Sequence, residues 1–248
     1  MSLGVARWGA AARHDGGMLA SSPILFAHRG GRAHAPENTM EAFRLAVRLG
    51  ATGLESDVWC TADGIPVLDH DGRVGRWPRR RAISTMAFET VPSSIPTLAA
   101  LLAEVATDLA VSLDVKDSAA ATPVLQLAAV NGTTGRLWLC HPDHEVVASW
   151  RDLDPRVRLI HSTRVDRIGS SLERHAAELA SSGIDGVNLP EAEWSAGLVK
   201  LFRRFDLACL AWDAQHRRQI DRLLALGLDG IYGDHVNRLV DGLAAARS

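Results

Sequence analysis

The chain has too few cysteines for a disulfide framework. Cys60, Cys140 and Cys209 are odd in number, follow no metal-binding or redox spacing, and sit beside or within apolar runs. They read as buried free thiols in a reducing compartment. No stretch approaches the roughly 20 apolar residues of a membrane-spanning helix, so stable membrane insertion is not expected. Neither sign of charge dominates: 27 Lys and Arg face 29 Asp and Glu, a formal net charge of −2 that offers no global basic field to nucleic acid or an acidic lipid surface. The N-terminal segment carries Arg7, Arg13, His14 and Asp15 and no apolar stretch of a secretion signal, which makes the cytoplasm the expected location. Its Gly/Ala-rich run to about Ser22 is expected to be a flexible extension, with Met1-Ser2-Leu3 resembling a cloning scar. No segment rich in Pro, Gly or Ser divides the rest, and one domain is expected from 23 to 248.

What is present is an ordinary globular composition, 47% hydrophobic and 23% charged over 248 residues. Short apolar, β-branched runs alternate with longer Ala/Leu/Arg segments of helical period, the signature of repeated βα units. Strands are expected at 24–28, 53–59, 109–116, 136–141, 157–163, 186–189, 207–212 and 229–233. Three segments resemble one another, beginning at Leu49, Ser182 and Leu226. In each, a first glycine (Gly50, Gly183, Gly227) suits a helix end and a second (Gly53, Gly186, Gly230) opens the next strand. The span from 61 to about 105 holds Gly64, Pro66, Pro78, Pro92 and Pro96 and reads as an excursion after the second strand. Eight such units predict a single (β/α)8 TIM barrel with a short insertion after strand two. In that architecture chemistry gathers at the C-terminal strand ends.

The reactive residues fall at those ends. Alternation along a strand puts Glu55 and Asp57 on one face, and Asp114 and Lys116 likewise. Three carboxylates without paired Cys or His favour Mg²⁺ or Ca²⁺ over zinc or copper; the alternative is a set of ion pairs with Arg29 and Lys116 that rims the barrel. His28 and His70 are candidates for paired general acid and base, or for hydrogen-bonded structural residues. Arg29 and Lys116 suit a phosphoryl group, Arg29 through its forked donors.

In order along the chain stand His28-Arg29-Gly30-Gly31, Pro36-Glu37-Asn38-Thr39, Ala42-Phe43, Glu55-x-Asp57, Thr61-x-Asp63-Gly64, Val67-x-x-His70-Asp71 and Ile95-Pro96-Thr97-Leu98. This series, extended by Asp114-x-Lys116, Trp212 and Asp229-Gly230-Ile231, resembles the motifs of glycerophosphodiester phosphodiesterases. The resemblance implies a TIM barrel, a divalent cation on Glu55, Asp57 and Asp114, catalytic His28 and His70, and phosphate contacts from Arg29 and Lys116. It implies Trp212 as a pocket aromatic and a small-molecule glycerophosphodiester, cleaved to glycerol 3-phosphate and an alcohol, as substrate. Two other outcomes stay open: a related enzyme acting on lysophospholipid or sphingomyelin, and a non-catalytic barrel that binds a phosphorylated metabolite.

The chain departs from the family pattern at Asp114, where Glu is usual, at Gly233-Asp234-His235, where Thr-Asp-x-Pro is usual, and in the short region from 72 to 94 that should roof the pocket. Asn38 with Glu41 reads as a helix cap. Arg79-Arg80-Arg81 reads as a solvated loop or as an attractor of anionic substrate. His175 and His216 read as surface residues, His141 and His161 as open between pocket and exterior, and Trp59 and Trp194 as open between barrel mouth and core.

Overall fold

The structure, a computed structural model, describes residues 22–105 and 108–247; the expected N-terminal extension lies outside them up to residue 21. All eight expected strands form, each within about two residues of its predicted ends. β1 (Ile24–Ala27) and β2 (Gly53–Cys60) precede three short strands of the excursion, β3 (Pro66–Leu68), β4 (Arg73–Val74) and β5 (Arg81–Ala82). Then come β6 (Ala110–Val115), β7 (Leu137–His141), β8 (Arg158–Ser162), β9 (Gly186–Pro190), β10 (Ala208–Trp212) and β11 (Gly230–Gly233). β1 pairs in parallel with both β2 and β11, so the order β1-β2-β6-β7-β8-β9-β10-β11 closes on itself. Between and after these strands lie α1 (Met40–Arg48), α2 (Leu98–Glu104), α3 (Ala121–Val130), α4 (His144–Ser149), α5 (Leu172–Ser181), α6 (Ala196–Arg203), α7 (Arg217–Leu226) and α8 (Val236–Ala246).

Local chemistry starts these helices. Thr39, Thr97, Ser171 and Ser195 each accept a hydrogen bond from the amide three residues on, satisfying a donor that the first helical turn leaves free. The cap of α1 is therefore Thr39 and not Asn38, which is spent elsewhere. The repeated glycine pairs behave as read: Gly50, Gly183 and Gly227 have positive φ just after α1, α5 and α7, and the second glycine of each pair opens a strand.

Two apolar layers result. The larger lies between barrel and helices, where Leu54, Leu113, Leu139, Leu159 and Val187 meet residues such as Phe43, Val124 and Phe202. The smaller fills the barrel: Phe26, Trp138, Ile160, Leu210 and Tyr232, with the rings of Phe26 and Tyr232 stacked at 4.5 Å. A Cβ on Gly53 would stand 2.6 Å from Phe26 Cδ1 and 2.7 Å from Ile24 Cγ2, so only glycine lets this floor close.

The excursion continues the sheet. β3 runs antiparallel to β2, pairing Trp59 with Val67, and β4 and β5 form a hairpin of their own. Arg79 and Arg80 lie in the turn of that hairpin and Arg81 on β5, all exposed, and Arg80 donates to Asp71 at 2.7 Å. Cys60, Cys140 and Cys209 are buried free thiols, as expected. Trp194 belongs to the core, its Nε1 donating to the Leu210 carbonyl at 2.9 Å, while Trp59 packs over Gly72. His216 is exposed. The surface reading of His175 is wrong: it is 4% exposed, because α5 turns it onto His161, which points out of the barrel beneath the helices. Among the described residues no helix is long and apolar enough to cross a membrane.

Candidate active site

At the C-terminal ends of the strands the barrel opens into a cavity of about 370 Å³. Seven of the eight residues picked from the sequence line it: His28, Arg29, Glu55, Asp57, Asp114, Lys116 and Trp212. The eighth, His70, does not. It stands on the rim with Nδ1 2.9 Å from Asp71 Oδ1, one residue beyond Asp69, whose amide donates to the Asp57 carbonyl.

β1 ends at Ala27, and the chain enters a single helical turn, His28–Gly30, in which Arg29 is left-handed at φ 49°. Such a conformation costs an L-residue about 1–2 kcal/mol. Here it aims the Arg29 amide at Glu55 Oε2, 2.8 Å away. Asn38, also left-handed at φ 53°, donates from Nδ2 to Asp57 Oδ2 at 3.1 Å and accepts from the Ser56 hydroxyl at 2.7 Å. Asn38 thus orients a cavity carboxylate, a role the cap reading missed.

β2 and β6 lie in register, with Glu55 beside Ser112 and Asp57 beside Asp114, so all four side chains face the cavity. Lys116 Nζ bridges Asp57, at 3.0 Å, and Asp114. Arg29 donates from Nη1 to Glu37 at 3.1 Å and sets its Nε 3.3 Å from Asp57 Oδ2. Burial pushes the Glu55 carboxyl up to about 7; His28 works against that rise, and repulsion from Asp57 and Asp114 adds to it. For Lys116, burial opposes charge, but Asp114 and Asp57 outweigh it and the ammonium is raised above its ordinary value.

His28 lies between two acids. Its Nδ1 is 2.7 Å from Asp234 Oδ1 and its Nε2 is 3.9 Å from Glu55 Oε2. Burial alone would discharge the ring; Glu55 and Asp234 override burial and raise its pKa above the usual 6.5. Burial also opposes ionisation of Asp234, yet hydrogen bonds from His28 and Arg32 bring it down to about 2.

Two donor sets are open to a cation. Glu55, Asp57 and Asp114 share the cavity wall, with Lys116 between the last two. Among the described residues, His28, Asp213 and Asp234 have donor atoms within 4.8 Å of one another, a spacing that can hold a divalent cation. The carboxylate wall has the donor chemistry for a hard cation, three acids facing Arg29 and Lys116, but its donor atoms are not all within 4.8 Å of one another, with Lys116 standing between Asp57 and Asp114.

The far wall was not anticipated. Asn188 on β9 and Tyr232 on β11 line the cavity, as do Ser112 and Ser162. A signal was present: in the repeated segments Glu55, Asn188 and Tyr232 each stand two residues after the strand-opening glycine, and the strand period turns all three inward. Asn188 Oδ1 and Trp212 Nε1 are buried without a hydrogen-bond partner among the described residues, and both residues line the cavity.

The chain matches the model of the glycerophosphoryl diester phosphodiesterase family over residues 28–238. Human glycerophosphodiester phosphodiesterase 1 is 60% identical over 50 residues, 20% of this chain and 15% of that protein. The chain thus aligns with only a small part of that relative's length. Over nearly full lengths the similarity is to folds: a glycerophosphodiester phosphodiesterase from Thermotoga maritima shares 23% identity and a TM-score of 0.76, over 88% of this chain and 97% of its own. An Oleispira antarctica phosphodiesterase, solved in complex with the product sn-glycerol-3-phosphate, shares 20% identity and a TM-score of 0.74, over 90% and 97%. The ordered motifs, the closed barrel and the family match converge, and the chain belongs to the glycerophosphoryl diester phosphodiesterase family.

Proposed function

We propose that the protein is a phosphoric diester hydrolase that cleaves glycerophosphodiesters to glycerol 3-phosphate and an alcohol. The observation that carries this reading is the placement of His28 between Asp234 and Glu55, beside the cations Arg29 and Lys116. The product held by the Oleispira neighbour supports the substrate class. Glu55, Asp57 and Asp114 would hold a divalent cation of the Mg²⁺ or Ca²⁺ type. When bound, it supplies charge neutralisation at the phosphoryl oxygens and a lower pKa for the attacking oxygen.

The phosphodiester anion sits against Arg29 and Lys116. An ammonium has three donors; Asp57 and Asp114 engage Lys116 and leave it a proton for a phosphoryl oxygen. Asp234 accepts the Nδ1 proton of His28, which directs Nε2 toward Glu55 and the cavity. The raised proton affinity of His28 suits it to protonate the leaving alcohol oxygen as its bond to phosphorus breaks. His70, on the rim, takes the proton of the attacking oxygen. Where that oxygen is the neighbouring glycerol hydroxyl, a cyclic phosphate forms and water reopens it. Trp212 and Asn188, with their unpartnered polar atoms, face the organic part of the substrate.

The test is hydrolysis of glycerophosphocholine with Mg²⁺ or Ca²⁺, read as glycerol 3-phosphate released, beside lysophosphatidylcholine. Turnover of the first supports the assignment. Preference for the lipid would move the protein to the lipid-directed reading, and binding without turnover of either to the non-catalytic one.

A further inference from the structure

A second cavity, of about 450 Å³, shares no lining residue with the first and lies outside the barrel around β8, α4 and α5. His144, His161 and His175 line it, with Asp143, Thr163 and Glu178. His161 is the register partner of His141 on the outward face of the sheet, while Ile160 points into the barrel. Its Nε2 lies 3.1 Å from the Pro142 carbonyl and its Nδ1 3.1 Å from His175 Nε2. A carbonyl only accepts, so Nε2 of His161 carries the proton and Nδ1 presents a lone pair. Metal-bound histidines are oriented in this way, with the second ring nitrogen donating to a backbone carbonyl.

The three ring centres form a near-equilateral triangle with sides of 5.0, 5.3 and 5.4 Å. Nitrogens about 2.0–2.1 Å from a tetrahedral ion are themselves about 3.3 Å apart, and the rings that carry them are centred roughly 5 Å from one another. His161 and His175 meet both spacings. His144 meets the second and makes no side-chain hydrogen bond among the described residues. Its nitrogens do not complete a donor set as the ring stands, since among the described residues only His28, Asp213 and Asp234 form a set of three with ligand atoms within 4.8 Å of one another. Rotation about its Cβ–Cγ bond exchanges the ring edges and leaves the centre in place. Glu178, three residues after His175 on α5, shares its helix face and offers an oxygen.

We propose that His144, His161 and His175 form a second metal site, for a borderline transition ion of the Zn²⁺ or Co²⁺ type, with Glu178 or water as the fourth ligand. Imidazole donors separate it from the oxygen-lined catalytic cavity, which favours Mg²⁺ or Ca²⁺. An ion there would tie α4 and α5 to His161 near the end of β8, and the last residue of that strand, Ser162, lines the catalytic cavity. The role is structural and independent of turnover.

The test uses the full chain, stripped with chelator and titrated with Zn²⁺ by calorimetry and with Co²⁺ by visible absorption. The wild type should bind one Zn²⁺ per chain that His144→Ala binds at least about tenfold more weakly or not at all. That ion should raise the melting temperature of the wild type and not of the variant. Co²⁺ should give the intense visible bands of four-coordinate nitrogen ligation, a readout that needs no variant. Equal stoichiometry and affinity in wild type and His144→Ala would overturn the site, as would weak six-coordinate Co²⁺ bands alone. Loss of all Zn²⁺ binding in Asp234→Asn would overturn it too, by assigning the ion to the catalytic cavity.

Discussion

Asp234 Oδ1 lies 2.7 Å from His28 Nδ1, a contact between the end of the first barrel strand and the end of the last. The acid is held ionised at about 2 by His28 and Arg32 against the effect of its own burial. It therefore fixes both the orientation of the ring and part of its proton affinity.

Asp234→Asn keeps the shape and removes the charge. We expect kcat to fall by about 10²-fold, the scale of a misplaced general acid. Asp234 is among the groups that raise His28, so its loss lets the imidazolium release its proton at lower pH. The alkaline limb of the pH–rate profile should then move to lower pH. A profile and rate unchanged from wild type would separate Asp234 from the chemistry.

Removal of divalent cations with a chelator should abolish turnover, and adding back Mg²⁺ or Ca²⁺ should restore it. Asp114→Glu lengthens one arm of the carboxylate wall by a methylene and should shift the relative rates with Mg²⁺, Ca²⁺ and Mn²⁺. An unchanged metal profile would remove Asp114 from the ligand set.

His70 has a side chain 39% exposed, on the rim, so His70→Ala should leave the melting curve intact while removing most turnover. Wild-type rates in this variant would assign the base to another group, such as Glu55 in the cavity.

Gly53→Ala places a methyl 2.6 Å from the Phe26 ring at the barrel floor. Overpacking of this kind costs about 1–3 kcal/mol. Denaturant titration should show a lower midpoint at unchanged slope. Gly64→Ala, where a Cβ meets nothing within 4 Å but φ is +83°, separates backbone strain from crowding.

Burial, then the charge of its neighbour His175, brings His161 down from the usual 6.5 to about 4, and burial lowers His175 too. The unfolded chain takes up these protons first as pH falls. The pair's contribution to the stability of chelator-treated protein should be full above about pH 6.5 and decline toward pH 4, read as the difference in denaturation midpoint between wild type and His161→Asn, which cancels the opposite contributions of Glu55 and His28 in the same range. A pH-independent difference would mean that the pair takes up protons alike in the folded and the unfolded chain.

The barrel was legible because its signals are local. Strand and helix periods and the glycine pairs act within a few residues, and eight alternating units leave few ways to close. The carboxylates and His28 were legible for the same reason: strand alternation decides which side chains share a face. Asn188 and Tyr232 obeyed that rule at the same motif position as Glu55 and were passed over because their side chains announce no chemistry alone.

Three matters needed the tertiary structure. Asn38 had the composition of a cap, but a left-handed backbone turned it onto Asp57, and Thr39 took the cap. His175 lay in a polar helical stretch, yet the rotation of α5 about the barrel put it against His161. Asp234 met His28 because closure of the barrel set β11 beside β1. Sequence by itself determined the eight barrel strands and which of the acids on β2 and β6 share a face, since those depend on short-range sterics. Which distant residues meet depended on closure of the sheet and packing of the helices, where burial fixes charge and proton affinity together.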